Sequence, residues 1–399
     1  MKKNWTALTI GLILTAIVFA YTFYWQPIAP KSPECASLET TIAFPVGASA
    51  NLTDVQYFPP IGEKILVKLP ETYIAGDGFV FYNDSLWTLG FNQTQEIKTT
   101  TILRYNFKTQ TWKEYTPVGS IDIKKVVLLD LFVSTKKTLW LEAQKYFENT
   151  PPFFIRYNEK KDTFEYTSYK NDYMDIQAKK ISEEIFSYEW TGYSSDQNGH
   201  IWITDRYNLY EFNPDQLLVS PRVQAESGSQ FSSPSVDKNG TVWFLDYDKG
   251  KVNKYIPKTG ALQSFSGKYA DGFSREEILQ TQNTMLDSKG QLWLSDFGWI
   301  NTVEKDSGGD PMWYRIVRSP VFIYQPERED NKYVWSHPRV LQETPDGLIW
   351  FETFGSLVKL DVQSGKWCKI SSGGYVATDN KAQIWILYLN QIYEYPMKK

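Results

Sequence analysis

The chain has 399 residues, with 42 Lys and Arg against 46 Asp and Glu, a formal charge of −4. That balance argues against a nucleic-acid partner, which requires a basic stripe. Two cysteines and two histidines leave no zinc-type Cys/His spacing, and no Ser/His/Asp constellation or phosphate-cradling Gly loop is present.

In chain order, Lys2 and Lys3 precede an uncharged apolar run from Trp5 to Trp25. Such a run spans a hydrocarbon core as a helix, and the lysines place its amino end in the cytoplasm. Val18-Phe-Ala20 keeps a cleaved signal peptide open as the alternative, and the unbroken apolar run through Trp25 favours a retained anchor. The segment Gln26 to Pro33 is Pro-rich, and it opens an extracytoplasmic stalk over 26–63. Cys35 and Cys368, both beyond the apolar run, are an even pair in an oxidising compartment, which leaves a disulfide and two unrelated thiols both open.

From residue 64 to 399 one phrase recurs. Asp196 to Trp202, Asp237 to Trp243 and Asp287 to Trp293 read Asp-x-x-Gly-x-hydrophobe-Trp. Thr344 to Trp350 and Asp379 to Trp385 are close variants, while Asp84-Ser-Leu-Trp87 and Lys137-Thr-Leu-Trp140 keep only its end. Asp and Gly are turn chemistry, since Asp bonds its own backbone and Gly accepts positive φ. Each Trp lies in a continuous apolar run such as Leu292-Trp-Leu294, the pattern of a strand covered on both faces. After each phrase come a short strand (Val252 to Tyr255), a polar turn (Pro257 to Gly260) and a closing strand (Ala261 to Phe265). The anchors Trp87, Trp140, Trp202, Trp243, Trp293, Trp350 and Trp385 recur about every 50 residues, a propeller-like period. These features predict a seven-bladed β-propeller of four-stranded antiparallel blades, all-β and preceded by one transmembrane helix.

The repeat resembles the two-component-regulator propeller repeat, and more loosely the NHL, gluconolactonase-like and virginiamycin B lyase-like propellers. After Trp385 the chain holds too few residues for a complete last blade. An amino-terminal strand is therefore expected to complete it, either Lys64 to Leu69 (favoured for its alternation) or Thr40 to Phe44.

The Asp-x-x-Gly turns are tight, whereas loops on the opposite face expand, as in Ser168 to Phe186, Gly267 to Ile278 and Pro320 to Trp335. Function usually resides on loops held by a rigid scaffold, which makes the expanded face the expected binding face. Asp205, Asp246 and Asp296 each follow the repeat Trp by three residues, and successive blades would place them on one arc. That arc suits Ca²⁺ or Mg²⁺, the cofactors to consider, although Asp more commonly caps its own turn. Tyr207, Tyr247, Trp299 and Phe354 add exposed stacking surface for a glycan, peptide or small ligand. His337 and Arg339 are expected at the channel mouth, where His337 is the one candidate catalytic base and Arg339 an anion contact.

The expected function is a membrane-anchored extracytoplasmic binding or sensing module. Its partner would be an unknown protein, glycan or small molecule on the expanded face. The alternative, carried by the lyase- and lactonase-like resemblance, is a metal-dependent propeller enzyme.

Overall fold

The structure is a computed structural model. It describes residues 35–37, 64–94, 100–119, 125–145, 152–166, 190–227, 229–246, 248–249, 251–266, 268–269, 283–296, 299–305, 311–318, 325–326, 333–334, 339–353, 356–361, 363–364, 366–371, 374–388 and 390–395. The expected helix at Trp5 to Trp25, most of the stalk, and Tyr247, His337 and Phe354 lie outside these residues. Among the described residues no helix is long and apolar enough to cross a membrane.

The described strands build successive antiparallel meanders. The first sheet is Tyr73–Tyr82, Ser85–Asn92, Thr100–Asn106 and Thr111–Tyr115. The second is Val126–Val133, Leu139–Lys145, Phe153–Asn158 and Thr163–Tyr166, with Val118–Gly119 added in parallel outside. The third is Trp190–Ser195, Ile201–Asp205, Asn208–Asn213 and Leu218–Gln224, and the fourth is Ser235–Val236, Val242–Asp246, Lys251–Ile256 and Ala261–Ser266. The fifth is Asn283–Leu286, Leu292–Asp296, Trp299–Lys305 and Pro311–Arg318, with Lys268–Tyr269 outside. The sixth is Arg339–Glu343, Leu348–Thr353, Ser356–Asp361 and Lys366–Ser371, edged by Cys35–Ser37. The last is Tyr375–Thr378, Ile384–Tyr388 and Gln391–Tyr395, and its outer strand is Lys64–Lys68 from the amino-terminal side. Of the two donor strands considered, Lys64 to Leu69 therefore supplies the pairing, with Lys64 opposite Glu394 and Lys68 opposite Gln391.

Specific contacts join each sheet to the next. Gly78, at φ 76°, lies so close to Leu131 that a Cβ there would stand 2.5 Å from the Leu131 amide nitrogen. Only glycine meets both demands, so the first two inner strands can touch. The Tyr193 hydroxyl donates to Asp130 at 2.6 Å between the second and third sheets. Further round, Thr204 bonds the Ser232 carbonyl, Thr284 bonds Ser233, Ser288 bonds Glu343, and Gln342 bonds Thr378. The Ala75 amide then donates to Asn390 at 2.9 Å, which returns the last sheet to the first. Between sheets lie apolar layers, such as Trp87, Leu141, Phe153 and Phe164 between the first two.

The recurring turn is a small machine for fixing its tryptophan. Gly199, Gly240, Gly290 and Gly347 adopt φ between 77° and 80°, as the turn requires. Ala382 and Lys137 fill the same place in the last and second sheets at φ 66° and 53°. One oxygen of Asp287 accepts the amides of Lys289 and Gln291 at 3.0 and 2.8 Å. Its other oxygen accepts the Trp293 indole N–H at 3.0 Å. Asp196, Asp237 and Asp379 repeat this double use, and Thr344 substitutes its hydroxyl for Trp350 at 3.0 Å. A buried indole N–H is costly to leave unpaired, so the Asp six residues ahead of the Trp serves packing as well as the turn.

Candidate functional site at the ends of the second strands

Asp205, Asp246 and Asp296 close the second strands of three consecutive sheets, so the backbone places them at equivalent positions. Asp296 pairs with Trp299, and Arg339 opens the sixth inner strand opposite Glu352. Among the described residues no group of three His, Cys, Asp or Glu is placed to hold an ion, and the Asp296 side chain lies outside that description.

Asp205 is committed to its own hairpin. It accepts the amides of Tyr207 and Asn208 at 2.7 and 2.6 Å, the Asn208 side-chain amide, and the Tyr210 hydroxyl at 2.8 Å. Burial pushes its carboxyl upward, and these four donors pull against that rise. Held this way, the carboxylate stiffens the turn that presents Arg206 and Tyr207, the latter 37% exposed.

Asp246 is buried and accepts the Lys249 amide at 3.2 Å. Two residues on, Asp248 is driven upward by burial and then by the Asp246 charge, with Gln230 opposing. The Lys249 ammonium reaches Glu226 at 2.6 Å, which with the Asp246 charge raises it.

The connection from the third to the fourth sheet joins these two hairpins. The Ala225 amide donates to the Tyr207 carbonyl at 2.6 Å, and the Phe231 amide to the Arg206 carbonyl at 2.8 Å. Phe231 also bridges to Asp246 and packs edge-on to Phe244. Arg206, Tyr207, Glu226, Asp248 and Lys249 therefore share one braced rim. Arg206, Glu226 and Lys249 carried no signal in the sequence, because backbone bonds between distant segments place them.

The fold these sheets define is the β-propeller, all-β in every described strand. Virginiamycin B lyase from Staphylococcus aureus shares it at a TM-score of 0.54 and 13% identity, over 83% of this chain and 98% of that one. So does the extracellular domain of the putative hybrid two-component system BT4673 from B. thetaiotaomicron, at a TM-score of 0.53 and 14% identity. The match covers 84% of this chain and 43% of BT4673. The corresponding domain of BT3049 gives a TM-score of 0.50 at 12% identity, over 84% of this chain and 42% of that one. The resemblance to regulator-type and lyase-type propellers is thus one of fold. No protein-family model matches the sequence, and no curated protein does.

Proposed function

We propose that the chain is a membrane-anchored, extracytoplasmic propeller of seven blades that binds a ligand or protein partner on its second-strand rim. The braced rim carries this reading. Asp205 accepts four local hydrogen bonds, which favours a role in positioning neighbouring side chains. A rigid frame presenting an exposed Tyr beside Arg and acidic groups suits recognition at low ordering cost.

Seven blades are supported by the seven meanders of four or five strands among the described residues, joined in sequence and back to the first. The extracytoplasmic placement draws on the apolar run before residue 26 and on the cysteines. Cys35 stands directly opposite Cys368 on paired strands, and Cys368 is disulfide-bonded. Such a bond persists in oxidising compartments and would tie the stalk to the sixth sheet. The BT4673 and BT3049 domains, named as extracellular parts of two-component systems, suggest sensing as the use.

The test is a glycan and peptide array probed with the purified full-length chain, followed by Arg206→Ala and Tyr207→Ala variants. A hit weakened by both variants at unchanged melting temperature supports the rim. A hit that neither variant changes places recognition elsewhere and overturns it. Turnover of the captured ligand, abolished by Asp248→Asn, would replace the binding reading with the enzyme one.

A further inference from the structure

The outer edges of the sheets are closed by different means. An added strand covers three of them: Val118–Gly119 on the second sheet, Lys268–Tyr269 on the fifth and Cys35–Ser37 on the sixth. Elsewhere the edge strand itself carries charges, a proline or a break in register. Thr111–Tyr115 of the first sheet bears Lys113 and Glu114. Leu218–Gln224 of the third bears Pro221 and Arg222, with a register shift opposite Leu209 and Tyr210. Lys64–Lys68 of the last sheet has a lysine at each end and a shift between Ile65 and Val67. Charges, prolines and bulges are the usual guards against an edge recruiting another strand.

Among the described residues the fourth sheet has none of these guards. Its outer strand, Ala261–Ser266, contains no charge and no proline. It pairs with Lys251–Ile256 through six consecutive residues without a shift, and no strand lies beyond it. Ala261 to Ser264 are exposed, Leu262 at 44%. An outer strand turns alternate amides and carbonyls away from its neighbour, so this edge presents a row of outward donors and acceptors.

The flanking charges decide what kind of strand fits. Lys258, exposed in the preceding turn, stands before the neutral strand and Lys268 follows it. A second copy pairing antiparallel at this edge would bring each Lys258 turn to the other copy's Lys268 end, so like charges would meet at both ends. A partner strand with acids at its ends meets opposite charges instead.

We infer that the outer edge of the fourth sheet receives an extended peptide segment of a partner protein, apolar at alternate positions and acidic at both ends. Its backbone pairs with Ala261–Ser266, its alternate apolar side chains cover Leu262, and its acids approach the two lysine ends.

The probe is a fluorescent peptide of alternating valine and threonine closed by a glutamate at each end, titrated by anisotropy against the full-length chain. Saturable binding is expected, with slowed amide exchange confined to Ala261–Ser266. A copy closed by lysines, and the Lys258→Glu variant with the original peptide, should bind about threefold to tenfold more weakly. Two N-methylated copies test the backbone: blocking one alternate set of amides should abolish binding, and blocking the other should leave it. No binding, protection at another edge, or binding by both N-methylated copies as tight as by the parent would overturn the inference. Equal binding of the lysine-closed copy would overturn the assignment to acids. A peptide-free dimer in sedimentation, with Ala261–Ser266 already protected, would give the edge to a second copy and overturn the assignment to a partner.

Discussion

Replacing Asp287 by Ala removes two turn hydrogen bonds and strands the Trp293 indole N–H, which is 2% exposed. The turn amides border solvent and recover part of their loss from water, whereas the indole cannot. A buried donor left unpaired costs about 1–3 kcal/mol, and bonds to a charged acceptor contribute about 1.5–3 kcal/mol, so a net loss of about 3 kcal/mol is expected. With an unfolding entropy of about 2 cal/mol/K per residue over residues 64–399, the melting temperature should fall by about 4 °C. Asp287→Asn keeps an acceptor for the two amides but turns a donor toward the indole, and should cost about half as much. Calorimetry of both variants, and of Asp287→Ala in a Trp293→Phe background, separates the indole bond from the turn. A melting temperature for Asp287→Ala within about 1 °C of the parent would refute the lock.

Asp162 stands between the first two sheets, held by the hydroxyls of Tyr115 and Tyr157 and by Lys113 and Arg104. Burial raises its carboxyl, but hydrogen bonds from Lys113, Tyr157 and Tyr115 prevail and lower it to about 2. The folded value lies below the unfolded one. Its stabilisation is therefore complete above about pH 4 and lost as the pH falls through about 2. Melting curves over that window should flatten in Asp162→Asn, and an unchanged slope would remove Asp162 from the acid sensitivity. Deleting Lys64–Lys68 bares the edge of Gln391–Tyr395, so light scattering should show association that a peptide of the deleted strand suppresses. Breaking the Cys368 bond with Cys35→Ser should lower stability by about 2–4 kcal/mol, read from denaturant midpoints, while an unreduced parent mass without the 2 Da deficit of about one disulfide would deny the pairing.

The repeat was legible in the sequence because its physics is local. An Asp-x-x-Gly turn followed by an unbroken apolar run specifies a tight hairpin and a strand buried on both faces, whatever surrounds it. The missing outer strand after Gln391–Tyr395 was legible for a similar reason, since an unpaired edge demands a partner and Lys64–Lys68 had the alternation to be one. The Asp287 to Trp293 bond was written in the six-residue spacing but not readable as a bond, because it depends on how the hairpin folds the indole back over the turn.

What tertiary structure alone decided is how each polar group is used. The sequence offered Asp205 as a ligand and as a turn cap, with the cap favoured. The hairpin surrounds the carboxylate with four local donors. Arg206 and Glu226 join one rim only because the Ala225 and Phe231 amides bond backwards across the Arg206–Tyr207 turn, and backbone bonds leave no trace in side-chain pattern. Trp140 looked like its six counterparts. Its buried indole N–H has no partner among the described residues because Ser134, at the turn position, is too short to reach it, a shortfall of reach that appears only when donor and acceptor are placed in space.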